Sequence, residues 1–166
     1  MATSTYIPLQ TITLGSAASS VTFASIPQTY RDLVLVMNWQ NSGTASATRI
    51  QLNGDAGSNY NGVWMTGTGS TANSNTASNQ TSSRAAGAST GPANTFTNVM
   101  TINMMDYSAT DKQKTYLVRF GSATTETQAT ASRWANTSAV TSIRVFDILG
   151  QTFTVGSTLS LYGIAS

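Results

Sequence analysis

The chain has 166 residues, of which only fourteen are charged: eight Lys or Arg and six Asp or Glu. It has no Cys and no His, while 28 Thr and 22 Ser place hydroxyl groups at 50 positions. These counts exclude disulfides, thiol nucleophiles, Cys/His zinc sites and Ser-His-Asp triads. Any catalysis would fall to six scattered carboxylates, so we expect no enzyme, no cofactor and no metal ion.

The charge balance argues against two classes of partner. The net charge of +2 and the pI of about 9.2 reflect a small basic surplus on a nearly uncharged chain. The closest basic cluster is Lys112, Lys114 and Arg119, which Asp111 flanks, so the basic patch typical of nucleic-acid binders is missing. The longest apolar run, Leu33–Met37, is far shorter than the ~20 residues of a membrane span. We expect neither nucleic acid nor a membrane as a partner.

Apolar residues recur with a period of two, and no 11-residue window has the apolar stripe of a helix. Turn-forming residues separate these segments, and Thr, Val, Ile and aromatic residues dominate them, as in strands. We predict nine or ten short strands and at most one helical turn, near Asp106–Lys112. The strand candidates are, in chain order, Ile7–Leu14, Val21–Phe23, Leu33–Trp39, Ile50–Leu52, Val63–Met65, Met100–Met104, Tyr116–Phe120, Ile143–Val145 and Leu159–Ile164. The predicted fold class is all-β, an antiparallel β-sandwich with jelly-roll-like connections.

One stretch differs from the rest of the chain. Thr66–Thr95 has no large apolar side chain and a single charge, Arg84. A polar run of ~30 residues cannot order itself by burying apolar surface. Either it forms polar edge strands, or neighbouring molecules hold it in place. The predicted organisation is a single domain over 1–166, a length typical of one domain, with a low-complexity polar insertion at about 66–95.

The segment Asn53–Tyr60 follows a strand candidate and allows two interpretations. Asn-Gly and Asp-x-Gly are strong turn formers, because both tolerate positive φ. Alternatively, Asp55, Ser58 and Asn59 could offer oxygen ligands to a cation such as Ca²⁺. A calcium site normally gathers several carboxylates, and this loop has one, so the turn is the favoured interpretation.

Three Trp residues raise the possibility of a sugar-stacking platform. Trp39 lies in the long apolar segment and is predicted to belong to the core. Trp134 stands beside Arg133 and Asn136, a combination that suits a surface groove contacting a glycan or a partner protein.

A glycoside hydrolase is a further interpretation. It would need two carboxylates converging at ~5–10 Å in one cleft. Nothing in the sequence favours such convergence among the six carboxylates, which are Asp32, Asp55, Asp106, Asp111, Glu126 and Asp147.

Five segments occur in a fixed order along the chain: Tyr6–Leu9, Ser20–Pro27, Tyr30–Val36, Leu52–Tyr60 and Leu161–Ile164. In that order they resemble a group of small structural proteins encoded by marine and cyanobacterial tailed phages. The similarity runs from the first strand candidate to the last, and Thr66–Thr95 is its least similar part. The resemblance implies a virion protein with a β-sandwich fold, either a capsid decoration (cement) protein or part of a tail or head fibre. It supplies no catalytic motif.

We therefore expect a non-enzymatic protein on the exterior of the virion, bound to the major capsid protein or to other virion proteins. Its contacts are predicted in the segment through Leu14 and in the polar insertion, and a homo-oligomer such as a trimer fits this role. The candidate contact residues are Tyr6, Arg84, Trp134 and Asn136. The alternative is a fibre module that binds cell-surface glycan, which predicts an exposed Trp134 or Trp64 beside Asn or Asp side chains.

Overall fold

The computed structural model describes residues 5–43, 46–89, 98–122 and 125–165. Twelve strands form within these ranges: β1 Tyr6–Thr13, β2 Ser20–Phe23, β3 Asp32–Trp39, β4 Ser46–Leu52, β5 Tyr60–Gly67, β6 Ala72–Gln80, β7 Ser83–Ser89, β8 Asn98–Met104, β9 Lys114–Ser122, β10 Glu126–Trp134, β11 Ile143–Asp147 and β12 Thr158–Ile164. These ranges contain no helix, and hence none long enough to cross a bilayer. The sequence predicts at most one helical turn near Asp106–Lys112. This segment lies in the connection between β8 and β9, where Ala109 N–H donates to the Asp106 carbonyl and forms a turn.

The strands form two antiparallel sheets that pack against each other. The larger sheet has eight strands in the order β1-β12-β3-β8-β9-β10-β5-β6, and the smaller sheet has four in the order β2-β11-β4-β7. Buried apolar residues from both sheets form one cluster between them. The prediction of an all-β antiparallel sandwich is confirmed, and its jelly-roll connectivity stays a prediction.

Strand alternation explains which side chains reach the core. Along β9, Tyr116, Val118 and Phe120 are buried, whereas the intervening Leu117 and Arg119 are exposed. This pattern follows because successive side chains of a strand point to opposite faces of the sheet.

One part of the interior is packed with aliphatic side chains, and we call it the apolar half. Its residues come from both sheets and enclose a void of only about 10 Å³. They are Leu33, Leu35, Ile50, Ile102, Met104, Ile143 and Leu161. Close packing here is what the alternating apolar segments of the sequence predict.

The other part of the interior, where β7 faces β10, carries polar side chains, and we call it the polar half. Gln128, Thr130 and Ser132 are consecutive inward residues of β10, and all three are buried. Ser83 Oγ of β7 donates to Ser132 Oγ at 2.9 Å, and Gln128 Nε2 donates to Thr130 Oγ1 at 2.7 Å. These hydrogen bonds satisfy hydroxyl and amide groups that would otherwise be costly to bury.

The polar insertion supplies an edge strand to each sheet. Strand β6 ends the larger sheet and pairs with β5, while β7 ends the smaller sheet and pairs with β4. The sequence allows the insertion either to form polar edge strands or to be held by neighbouring molecules. Residues 72–80 and 83–89 form edge strands. Residues 90–95 of the insertion lie outside the described ranges.

Candidate interaction surface

The solvent-facing side of the larger sheet is the most distinctive surface of the molecule. We define the outer face as the outward positions of its four neighbouring strands β8, β9, β10 and β5. These positions are Val99, Thr101, Asn103, Thr115, Leu117, Arg119, Gly121, Thr127, Ala129, Ala131, Arg133, Asn61, Val63, Met65 and Gly67. Antiparallel pairing aligns them in rows that cross the strands.

Two adjacent rows of side chains form the centre of the outer face. In one row, Leu117, Ala131 and Val63 are register partners across β9, β10 and β5. In the next row, Arg119, Ala129 and Met65 are partners across the same strands. Directly paired residues project from the same side of a sheet, so Leu117 and Val63 flank the small side chain of Ala131.

Large apolar side chains are concentrated on this side of the larger sheet. Leu117 is 50 % exposed, Val63 53 % and Met65 63 %. Seven of the ten exposed large hydrophobic residues in the described ranges share this side, including Tyr6 of β1, Val36 of β3 and Met105, which follows β8. Single exposed apolar residues are ordinary on proteins, but a contiguous set marks a contact surface.

Two shallow depressions border the small residues of β10. One, of about 480 Å³, is lined by Val63, Leu117, Ala131 and Arg133 together with Met105. The second, of about 580 Å³, adjoins it along the same strands, where Met65, Arg119 and Ala129 contribute to the lining. Small side chains on β10 thus leave a groove floor between taller neighbours, into which a partner's side chains can fit.

The charges of the outer face have one sign. Arg119 and Arg133 are exposed, and in the described residues neither lies within salt-bridge distance of a carboxylate. No outward position of the four strands carries Asp or Glu. The face therefore presents two guanidinium groups beside apolar surface.

The basic cluster noted in the sequence is divided by the fold. Lys112 Nζ pairs with Asp106 Oδ2 at 3.1 Å, and this carboxylate raises the pKa of Lys112. Lys114 is buried, and its Nζ donates to the carbonyls of Lys112 and Thr137 at 2.8 and 3.0 Å. Burial lowers the pKa of Lys114. Only Arg119 of the three remains on the outer face.

Arg84 lies in the polar half of the interior and joins the two sheets. Its guanidinium carbon stands 4.7 Å from the centroid of the Trp64 ring, and its Nε donates to Gln128 Oε1 at 3.1 Å. Partial burial lowers the pKa of Arg84, which the nearby carboxylate of Glu126 partly offsets. The side chain is therefore engaged within the domain, and it covers one face of Trp64.

Trp134 does not face a surface groove, so that expectation is wrong. Its side chain is 1 % exposed because β10 points it into the core, where it belongs to the buried apolar cluster. Its indole Nε1 donates to Asp55 Oδ2 at 2.6 Å. With Trp134 buried and Trp64 stacked under Arg84, neither ring forms the exposed sugar platform that the glycan alternative predicts.

Asp55 is the centre of a hydrogen-bonded turn between β4 and β5. Asn59 Nδ2 and Gly57 N–H each donate to its carboxylate at 2.8 Å, in addition to Trp134. Burial raises the pKa of Asp55, but the hydrogen bonds from Trp134, Asn59, Gly57 and Asn136 outweigh it, so the pKa lies below its ordinary value. These hydrogen bonds stabilise the ionised carboxylate and hold the turn in its conformation. The segment Asn53–Tyr60 therefore forms the turn that the sequence favours.

Two of the predicted contact residues lie away from the outer face. Asn136 is partly buried, accepts the Ser138 N–H at 2.8 Å and supports Asp55. Tyr6, on edge strand β1, is 56 % exposed, and its ring meets Tyr162 edge-on with centroids 6.3 Å apart. The structure brings Arg84, Trp134, Asn136 and Tyr6 into no common surface.

Two further carboxylates accept hydrogen bonds at strand ends and turns. Asp147 Oδ2 accepts from Ser46 Oγ and from the Ala47 N–H, both at 2.7 Å. Asp32 Oδ1 accepts the Asp106 N–H at 2.9 Å. Among the described residues, no group of three or more carboxylates is placed to hold a metal ion.

Sequence reasoning missed the outer face as a site. The strand β10 that forms its floor reads ETQATASRW, with small and polar residues instead of alternating large apolar ones. The available signal was the outward position of Val63, Met65 and Leu117 within otherwise regular strands. Recognising it requires knowing which strands are neighbours, and that is a tertiary property.

Comparison of the chain with protein-family models, with curated proteins and with solved structures finds no match. A functional role is therefore inferred from the residues and geometry of this chain.

Proposed function

We propose that this chain is a non-enzymatic structural protein of a tailed-phage particle, and that it decorates the outer surface of the capsid. The observation that carries the proposal is the outer face, where large apolar side chains stand exposed around a floor of small residues. A surface of this kind is suited to contact with another protein.

The dimensions of the outer face favour repeated use on a lattice. From β8 to β5 it measures roughly 14 Å, and from the Arg133 row to the Thr127 row roughly 20 Å, at ordinary strand and residue spacings. A contact of this size is well below the roughly 800 Å² per partner of a stable pairwise interface. A capsid shell offers many equivalent sites, so modest contacts gain strength when copies are also linked to each other.

The distribution of charged residues supports a binding role over catalysis. Asp32, Asp55 and Asp147 accept backbone N–H bonds in turns, and Asp106 is paired with Lys112. The resemblance to phage structural proteins supplies the setting, namely the exterior of the virion with the major capsid protein as the first candidate partner. A trimeric assembly also stays a prediction.

The decisive experiment is the copy number of this protein in purified particles of the phage that encodes it. Quantitative mass spectrometry with labelled peptides would compare it with the major capsid protein. We expect a ratio near that of a shell component. A copy number of only a few per particle would overturn the capsid proposal and place the protein in the tail or fibres.

A further inference from the structure

We infer that the outer face binds a protein surface that carries an apolar centre flanked by two carboxylates, one for each of two arginines whose rows lie about 14 Å apart. The inference rests on the proposed function, in which the partner is a virion protein. It adds the chemistry by which that partner is recognised.

The spacing follows from the register of the larger sheet. Arg133 pairs with Thr115, and Arg119 pairs with Ala129, so the two arginines belong to rows four residues apart on β10. At ~3.4 Å per residue of antiparallel strand, these rows are about 14 Å apart. The apolar row of Leu117, Ala131 and Val63 lies between them.

Charge complementarity selects the partner. Each exposed guanidinium group offers a planar set of donors that matches a carboxylate in two parallel hydrogen bonds. The outer face provides no acceptor of that kind, because none of its positions is Asp or Glu. A partner that carries carboxylates opposite Arg119 and Arg133 neutralises the two guanidinium groups and sets the orientation of the bound partner. The same contact removes the apolar centre of the outer face from water.

The same charges disfavour a second copy of this chain as the occupant. Two outer faces packed together would bring four arginines into one interface without a carboxylate from either copy. Like charges in a partly desolvated interface are repulsive and select against that pairing. Edge strand β6, which is exposed over most of its length, is a separate place at which copies could join.

The test uses the full chain and capsid shells of the encoding phage that lack it. The double variant Arg119→Glu, Arg133→Glu and the variant Leu117→Asp alter the outer face. Arg144→Glu is the matched control, because Arg144 is also an exposed arginine at an outward strand position but belongs to the smaller sheet. Binding is measured by co-sedimentation with shells at about 50 mM and about 500 mM salt, a range over which screening becomes strong.

We expect wild type and Arg144→Glu to bind equally and to lose affinity as salt rises. The double variant should bind about tenfold more weakly or worse at low salt, and salt should not weaken its binding further. Leu117→Asp should also bind poorly, while circular dichroism and thermal unfolding show that each variant is folded.

Three results would overturn the inference, each in a recognisable way. If the double variant and Leu117→Asp bind shells as wild type does, the outer face is not the contact, although the proposed function stands. If wild type does not bind shells, the proposed function fails and the inference fails with it. If analytical ultracentrifugation shows a dimer of wild type that Leu117→Asp dissociates, the occupant of the face is a second copy.

Discussion

The two halves of the interior are held together by different physical means. In the apolar half, side chains such as Leu35, Ile50 and Leu161 are buried and leave almost no void. In the polar half, Ser132 and Gln128 are equally buried but are matched to Ser83 and Arg84 by directed hydrogen bonds. Apolar burial contributes free energy with little dependence on orientation, whereas a polar pair contributes only when its geometry is met. Burial of apolar side chains, as in the apolar half, is therefore the main stabilising contribution, and the polar half fixes how β7 sits against β10.

The largest effect should come from a cavity in the apolar half. Ile50 is fully buried in β4, and Ile50→Ala should lower the free energy of unfolding by about 2–5 kcal/mol. Ile148→Ala is the matched control, because Ile148 is 48 % exposed, and it should change stability by less than about 0.5 kcal/mol. Urea unfolding followed by tryptophan fluorescence measures both. Equal effects at the two positions would contradict the conclusion that apolar burial in the core is the main stabilising contribution.

A somewhat smaller effect should follow from removing the indole N–H of Trp134. Trp134→Phe deletes its hydrogen bond to the Asp55 carboxylate, which should cost about 1.5–3 kcal/mol for a bond to a charged group. Trp39→Phe is the control, since Trp39 is equally buried and its Nε1 has no partner in the described part of the chain. The first variant should be clearly less stable than the second, as measured by urea unfolding.

The same turn should make stability depend on pH. The pKa of Asp55 is lower in the folded protein than its ordinary value, so the ionised form stabilises the fold above the unfolded pKa of about 3.9. That contribution is lost as pH falls through the folded pKa. The stability difference between wild type and Asp55→Asn should therefore shrink below about pH 4. A difference that stays constant from neutral to acidic pH would show that Asp55 is not stabilised as its carboxylate.

In the polar half, Ser132→Ala should have a moderate effect. The change leaves Ser83 Oγ buried without Ser132 as its acceptor, and the expected loss is about 1 kcal/mol. Ser160→Ala breaks a comparable 3.0 Å bond to Thr11 that lies in solvent, where water replaces the lost partner. Thermal unfolding should show a clear decrease for the first variant and little for the second. The reverse order would mean that the bonds of the polar half do not hold the two sheets together.

The smallest effect on stability should come from the outer face. Leu117 is half exposed on β9, so Leu117→Ser should change the free energy of unfolding by less than about 0.5 kcal/mol. A large loss of stability would mean that Leu117 is part of the core and not a contact residue.

The strands with alternating large apolar residues could be predicted from the sequence. The segments around Leu33–Trp39, Met100–Met104 and Tyr116–Phe120 all form strands close to the predicted positions. The polar strands β6 and β10 gave no such signal, because their residues do not alternate between large apolar and polar types. They are ordered by pairing with their neighbours in the chain, β5 for β6 and β9 for β10, and β10 also pairs with β5, which is distant in sequence.

The surface position of a side chain is less evident from the sequence than the strands are. Its sequence neighbours Arg133 and Asn136 predict a surface position for Trp134, but strand alternation turns its ring inward, and Asp55 accepts its N–H. Local neighbours do not reveal which face of a strand is covered. The outer face combines residues of β8, β9, β10 and β5, and it exists only once these strands are aligned.

The sequence by itself determined the all-β character of this protein, its lack of Cys and His chemistry, and the turn around Asp55. These properties depend on composition, period-two patterning and local turn preferences, which act over a few residues. The tertiary structure alone decided that Val63 of β5 completes the apolar row between Arg119 and Arg133, and that Ser83 meets Ser132 in the interior. Those features depend on the register between strands far apart in the chain, and register is set by the simultaneous packing of all the strands.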